Sequence, residues 1–276
     1  MITSYLFVPG NRPDRIEKAL ASQAKAVIID LEDAIPQHEK DNVRKVVREF
    51  LLAYDFANLK KLCVRINDVS SPFFEEDVLM VAEFPNVHIM LPKTNSASDI
   101  QTLEVRTSPG QFILPLIETA KGVLCAYEIA SCSKRVTVLA FGAVDYCLDI
   151  NISISSHGQE LIYPRSALVL ASRAAELEPP IDTVYIDLSN EEGLINEIHR
   201  VKELGMFSKL CIHPTQIELV NTLFVPSFEE ITWAKKVVES FEHALVNNLS
   251  AIRVDNKMID LPVYNQALAT LKKTIE

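Results

Sequence analysis

Phe112-Ile113-Leu114-Pro115-Leu116-Ile117-Glu118-Thr119 is an apolar run that ends abruptly on a carboxylate. Residues 120–131 follow with helical spacing, and Val136-Thr137-Val138-Leu139-Ala140-Phe141-Gly142-Ala143-Val144-Asp145 then repeats the design. Apolar runs this continuous mark strands buried on both faces, and a helix between two of them is the crossover that parallel pairing requires. Because such crossovers are right-handed, the unit reads as strand, covering helix, adjacent parallel strand.

The same unit recurs on either side. Runs rich in Val, Ile and Leu occupy residues 5–9, 26–31, 62–66, 88–92, 183–186 and 209–212, and helical spacing occupies 12–22, 40–54, 72–84, 97–107, 164–177 and 191–204. Eight strands with an intervening helix each time predict an α/β fold of the (β/α)8 TIM barrel type with a C-terminal helical extension. The barrel is assigned to residues 1–225 and the extension to 226–276. Asn11-Arg12-Pro13 supplies a polar cap and an early proline for the first helix, and Ser96 and Ser189-Asn190 are candidate caps further on. Residues 149–161 read as an extended excursion or lid. In the extension, residues 228–246 and 262–273 read as helices, with a strand or turn at 252–255.

With 276 residues, 48% of them hydrophobic, the chain is long enough to bury a large core without disulfide or metal staples. Its formal charge of −10 argues against a nucleic-acid backbone or an anionic membrane surface as partner, though not against a small anion in a locally basic pocket. No apolar run approaches a bilayer span. The N-terminus reads as a first strand rather than a signal peptide. Five cysteines without a C-x-x-C pair fit a reduced, cytoplasmic protein.

In such barrels chemistry gathers where strands end at their C-terminal edge. There the sequence places Asp30-Leu31-Glu32-Asp33, Arg65-Ile66-Asn67, Lys93, Glu118-Thr119, Gly142-Ala143-Val144-Asp145, Asp187 and His213. Glu118 and Asp145 follow neighbouring strands, which lie about 4.8 Å apart. Two such carboxylates, with water and substrate filling the other positions, suit magnesium. Taken alone, an isolated Glu and Asp more often cap the next helices or pair with cations such as Arg65 and Lys93. Arg65 adds a guanidinium for an anionic ligand. Pro9-Gly10-Asn11-Arg12, with Lys18, either holds a phosphate at a helix N-terminus or forms a solvated turn. No G-x-S-x-G, G-x-G-x-x-G or Walker motif occurs.

Leu6-Phe7-Val8-Pro9-Gly10, Ile29-Asp30-Leu31-Glu32-Asp33-Ala34, Val64-Arg65-Ile66-Asn67 and Leu91-Pro92-Lys93 resemble segments of the HpcH/HpaI aldolase and citrate lyase superfamily. Leu116-Ile117-Glu118-Thr119, Ala140-Phe141-Gly142-Ala143-Val144-Asp145 and Cys211-Ile212-His213-Pro214-Thr215-Gln216 do so in the same order. The spacing is most similar to the stand-alone citrate lyase beta-subunit-like branch. That resemblance implies a magnesium-dependent lyase cleaving a 3-hydroxyacyl-coenzyme A thioester (malyl, citramalyl or citryl) to acetyl-CoA and a 2-oxo acid. It implies metal ligation by Glu118 and Asp145, catalytic roles for Arg65, Asp260, Asp33 and Lys93, and substrate binding by Arg65, Glu32, Arg12 and Gly142. Asp260, in Asp255-Asn256-Lys257-Met258-Ile259-Asp260, would reach a neighbouring subunit's site, commonly within a homotrimer. Asn256, Ser208 and Asn151 stand where relatives often carry Gly, and Val144 where they often carry Glu; none removes a proposed ligand. Three other readings fit the pattern: a citrate lyase beta subunit acting on citryl-acyl-carrier protein, an aldolase on free 4-hydroxy-2-oxo acids, and a non-catalytic barrel.

Overall fold

The computed structural model describes residues 2–56, 61–155, 157–247 and 249–273. Eight parallel strands close into a barrel in chain order: β1 Ser4–Pro9, β2 Ala26–Asp30, β3 Lys61–Arg65, β4 His88–Leu91, β5 Ile113–Ile117, β6 Ala140–Phe141, β7 Ile181–Asp182 and β8 Ser208–Cys211. Closure is made by β1 against β8, with Ser4 opposite Lys209. The chain divides into two compact units, Ile2–Asn221 and Thr222–Glu276.

Strand parity sets the interior. Tyr5, Ile28, Cys63, Met90, Leu116, Ala140, Ile181 and Leu210 belong to one buried cluster inside the barrel. Side chains alternate faces along a strand, so two residues further on each chain points to the same interior, one layer nearer the mouth. Seven of the eight positions in that layer, Phe7, Asp30, Arg65, Glu118, Gly142, Thr183 and Ile212, line one cavity. Asp30, Arg65, Glu118 and Thr183 therefore stand one step of the strand period beyond the apolar core.

Helices α1 Pro13–Ala21, α2 Lys40–Ala53, α3 Phe74–Ala82 and α4 Ala97–Glu104 cover the first strands. The helix expected over 120–131 breaks at Cys125 into α5 Ala120–Leu124 and α6 Ala126–Ser131. A short α7 Ala143–Asp149, not read from the sequence, starts directly on Gly142. In the excursion, residues 152–155 are irregular and Gln159–Leu161 is one 3-10 turn; Ser156 lies outside the described residues. Then come α8 Ile162–Ala174, α9 Glu191–Leu204 and α10 Thr215–Phe224.

The seventh strand is Ile181–Asp182 rather than the 183–186 run expected from apolar character. Asp182 broke the apolar pattern, yet it is fully buried and faces outward, toward the helices. Its carboxylate receives Lys209 Nζ at 2.6 Å and Arg165 Nε at 2.8 Å, while Glu197 Oε1 lies 2.6 Å from the same ammonium. Two cations from α8 and β8 thus neutralise two carboxylates from β7 and α9, as buried charges require.

The C-terminal unit has its own core of Ala234, Val237, Phe241, Val254, Ile259 and Ala267. Helix α11 Phe228–Val246 packs on α12 Leu261–Lys272, with Phe241 stacked on Tyr264 at 5.0 Å. Between them, the segment expected as one strand or turn is a hairpin, β9 Ile252–Val254 and β10 Lys257–Ile259. Asp255 and Asn256 have φ of 46° and 63°, the two positive values of a tight hairpin turn that Asn and Asp tolerate. Asn256 thus takes a left-handed conformation that ordinarily favours glycine. Among the described residues, no helix is long and apolar enough to cross a membrane.

Candidate active site

A cavity of about 420 Å3 opens at the barrel mouth, lined by the parity layer above together with Asp33, Val144, Asp145 and their apolar neighbours. Glu118 is 2% exposed, and its Oε1 accepts the backbone N–H of Lys93 at 2.7 Å. Lys93 has φ of 47°, a strained value for a non-glycine residue. Its side chain meanwhile reaches Glu32, with Nζ 2.6 Å from Oε1.

Gly142 makes room for Glu118. Ile117 and Phe141 are register partners, so Glu118 and Gly142 are side by side at the tips of β5 and β6. A Cβ on residue 142 would fall 2.5 Å from Glu118 Oε2 and 2.7 Å from Glu118 Cβ. The glycine is required by this close approach, since its φ of −110° is open to any residue. Asp145 stands in the first turn of α7, where the helix dipole favours an acid.

Arg65 is held by three carboxylates. Asp30 takes Nε at 2.7 Å and Nη2 at 2.6 Å in a bidentate pair, and Asp33 Oδ2 takes Nη1 at 3.1 Å. Glu32 Oε2 is 2.9 Å from Nη1 but off the N–H direction, and it is a buried oxygen without a hydrogen-bond donor. The guanidinium also lies 4.9 Å from the Phe7 ring centre. Three of its five N–H groups are committed to Asp30 and Asp33, leaving two for another ligand.

The electrostatics follow from the count: Asp30, Glu32, Asp33, Glu118 and Asp145 outnumber the cations near them among the described residues, Arg65 and Lys93 at the mouth and Lys40 behind the β2 loop. Burial pushes the Asp30 carboxyl upward, but the charge and hydrogen bonds of Arg65 outweigh it and hold the group below the usual range. Glu32 is raised, chiefly by burial, against the pull of Arg65 and Lys93. Glu118 is pushed up to about 8, first by burial and then by the negative charges of Glu32 and Asp145. A carboxyl raised first by burial and then by neighbouring negative charge sits in an environment that a divalent cation relieves. Two carboxylates able to bind through single oxygens, with room beside them for water and substrate, fit magnesium. Among the described residues, no group of three or more His, Cys, Asp or Glu side chains is placed to hold a metal, so a purely protein-made cage is not on offer.

The structure therefore brings together Arg65, Glu118, Asp145, Gly142, Asp33 and Glu32, with Lys93 attached through Glu32 and Glu118. Glu118 does not cap the following helix, which Thr119 caps; of the pairing alternatives it meets Lys93, but through the backbone N–H, while the Lys93 ammonium goes to Glu32. Arg12 is not brought in: it is exposed and pairs with Asp14 at 2.9 Å. Asp187 and His213 close local turns with Ser189 and Thr215 and do not line the cavity. Asp260 belongs to the C-terminal unit, where it caps α12 by accepting Val263 N–H at 3.2 Å. Sequence reasoning gave no role to Asp30, Phe7 or Thr183. Counting two residues on from Ile28, Tyr5 and Ile181 would have found all three.

Fold and site together define a (β/α)8-barrel enzyme with a cation-seeking mouth. Residues 3–214 match the HpcH/HpaI aldolase/citrate lyase family, and residues 169–274 match the C–C bond lyases of the TIM-barrel fold. The chain belongs to the HpcH/HpaI aldolase/citrate lyase family and is a carbon–carbon lyase. It is 35% identical to the citrate lyase subunit beta of Leuconostoc mesenteroides subsp. cremoris, over 97% of this chain and 91% of that protein. It is 29% identical to the mitochondrial citramalyl-CoA lyase of Rattus norvegicus, over 98% of this chain and 86% of that one. The crystal structure of CitE from Mycobacterium tuberculosis in complex with magnesium, acetoacetate and coenzyme A matches with a TM-score of 0.83 at 30% identity. That match covers 99% of this chain and 98% of the other.

Proposed function

We propose that this chain is a magnesium-dependent lyase that cleaves a 3-hydroxyacyl-CoA thioester of the malyl, citramalyl or citryl type into acetyl-CoA and a 2-oxo acid. The observation that carries this reading is the pair Glu118, at the tip of β5, and Asp145, in the first turn of the helix that follows β6, lining one cavity with Arg65. Relatives named for citramalyl-CoA cleavage and a neighbour binding magnesium and coenzyme A support it.

In retro-Claisen cleavage the 3-hydroxyl gives its proton to a carboxylate base, the bond from the carbinol carbon to the thioester α-carbon breaks, the carbinol carbon becomes the 2-oxo carbonyl, and the electron pair leaves on the thioester enolate. Glu118 and Asp145 would hold the magnesium, which supplies Lewis acidity toward the substrate's hydroxyl and carboxylate oxygens. Arg65 offers its two uncommitted N–H groups to negative charge on a substrate carboxylate or on the forming enolate oxygen. Asp30 and Asp33 fix the plane of that guanidinium, and Phe7 covers it. Glu32 and Lys93 hold each other and tie the β2 loop to the β4 loop. A carboxylate must then return a proton to the α-carbon, and Asp260 from a neighbouring copy in a trimer is assigned that step. Five thiols, none in a disulfide, suit a reduced cytoplasmic setting.

The decisive experiment mixes purified protein, magnesium and a panel of hydroxyacyl-CoAs and follows acetyl-CoA and 2-oxo acid. Glu118→Gln and Asp145→Asn should each lose magnesium binding by calorimetry together with cleavage; full magnesium-dependent turnover in both would overturn the metal assignment. The 35% identity to a citrate lyase beta subunit favours one second reading, action on a citryl group carried by an acyl carrier protein. Turnover of citryl-CoA by the isolated chain would select the first reading, and activity only after adding partner subunits the second.

Asp260→Asn separates chemistry from capping. Asn caps helices about as well as Asp, so thermal stability should hold. Cleavage should fall by roughly 100-fold or more if the carboxylate moves a proton. Unchanged turnover would confine Asp260 to its cap.

A further inference from the structure

Lys40 is a buried cation that the lyase reading leaves unused. It is the first residue of α2, the positive end of the helix dipole, where a lysine is electrostatically misplaced. It is nevertheless 8% exposed and lies outside the lining of the catalytic cavity. All three ammonium protons are spoken for: Nζ donates to Leu31 O at 2.9 Å, to Glu32 O at 2.9 Å and to Asn67 Oδ1 at 2.6 Å. Asn67 in turn donates to Leu31 O at 3.2 Å and to Asp77 Oδ2 at 2.6 Å, and Asp77 is held by Arg44 at 2.8 Å.

The two carbonyls Lys40 grips belong to successive peptides, and the planes of those peptides set where the Glu32 and Asp33 side chains leave the backbone. Glu32 bridges Lys93 Nζ at 2.6 Å and Arg65 Nη1 at 2.9 Å, and Asp33 holds the same Nη1 at 3.1 Å. Beyond Asp30, every carboxylate contact that orients Arg65 thus comes from a loop clasped from behind by one ammonium. We infer that Lys40 is a positioning residue for the lyase: it clamps the Leu31-Glu32-Asp33 backbone so that Arg65 and Lys93 are presented in working geometry. The inference rests on the lyase reading for its kinetic consequence and on the hydrogen-bond set for its structural one.

Lys40→Met keeps the apolar stem and removes all three donors. Lys40→Arg keeps the charge, but its flat fork does not converge three donors on one point. With wild-type protein cleaving a hydroxyacyl-CoA, both variants should stay folded. Their kcat should fall about 30- to 300-fold, the scale of a small misplacement of catalytic groups. KM and magnesium affinity should stay within about threefold, because Glu118 and Asp145 are untouched. A crystal structure of either variant should show the Leu31-Asp33 loop displaced and Glu32 parted from Arg65 or Lys93. Undiminished kcat with the loop in place, a loss confined to KM, or failure of both variants to fold would each overturn the positioning role. If wild-type protein cleaves no thioester, the lyase reading fails by itself. The loop displacement in the variant crystal then decides the inference.

Discussion

Gly142→Ala, a change of one methyl group, is expected to cut magnesium-dependent cleavage by about 100-fold or more while leaving the barrel folded. The new Cβ would stand 2.7 Å from Glu118 Cβ and 2.5 Å from Oε2. Side-chain rotation relieves only the second contact. The first is fixed by the two strand tips, because Ile117 and Phe141 are paired and Gly142 N–H bonds Ile117 O at 3.0 Å. Glu118 must therefore shift bodily, taking its carboxylate off the line shared with Asp145. Misplacement of about 1 Å costs on the order of 100-fold in rate, and here the displaced group is also a proposed ligand, so magnesium affinity should fall with it. Calorimetry and steady-state kinetics on one preparation check both. A Gly142→Ala protein with wild-type magnesium affinity would show that Glu118 is not a ligand.

The second large effect is on stability. Lys209→Met removes one cation from the buried set Asp182, Glu197, Arg165 and Lys209 and leaves two carboxylates sharing Arg165. Breaking a buried pair by deleting one partner costs about 3–5 kcal/mol, because the other charge stays buried. In a unit of this size that corresponds to a drop of roughly 6–20 °C in Tm, readable by calorimetry. The pH dependence has a definite sign. Burial raises the Asp182 carboxyl, but Lys209 and Arg165 overcome it and hold the group below its ordinary value. Its contribution is therefore present above the unfolded value of about 3.9 and lost as acid takes the pH through the folded one. Burial lowers Lys209, but Asp182 and Glu197 win and raise it. Its contribution is therefore present below about 10.4 and lost as the pH rises through its folded value. Wild-type protein should gain from the pair throughout that interval, and Lys209→Met should shrink the gain most at neutral pH. Equal Tm values for the two proteins at pH 7 would show that the network contributes nothing net.

Strand periodicity and composition determined most of the barrel, because a parallel strand buried on both faces is largely apolar until it reaches the mouth. Leu116-Ile117-Glu118 and Ala140-Phe141-Gly142 announced both the strands and the edge where chemistry would gather. Asp182 shows the limit of that signal. A charged residue breaks an apolar run, and only the tertiary structure reveals that Lys209 and Arg165 neutralise it and keep it in β7. The same holds for Lys40, whose three acceptors come from segments up to 27 residues away. Sequence carried which side chains stand at the strand tips, since that depends on a local period of two. Their pairing, burial and charge balance depend on which strands become neighbours when the barrel closes, and no local pattern encodes that.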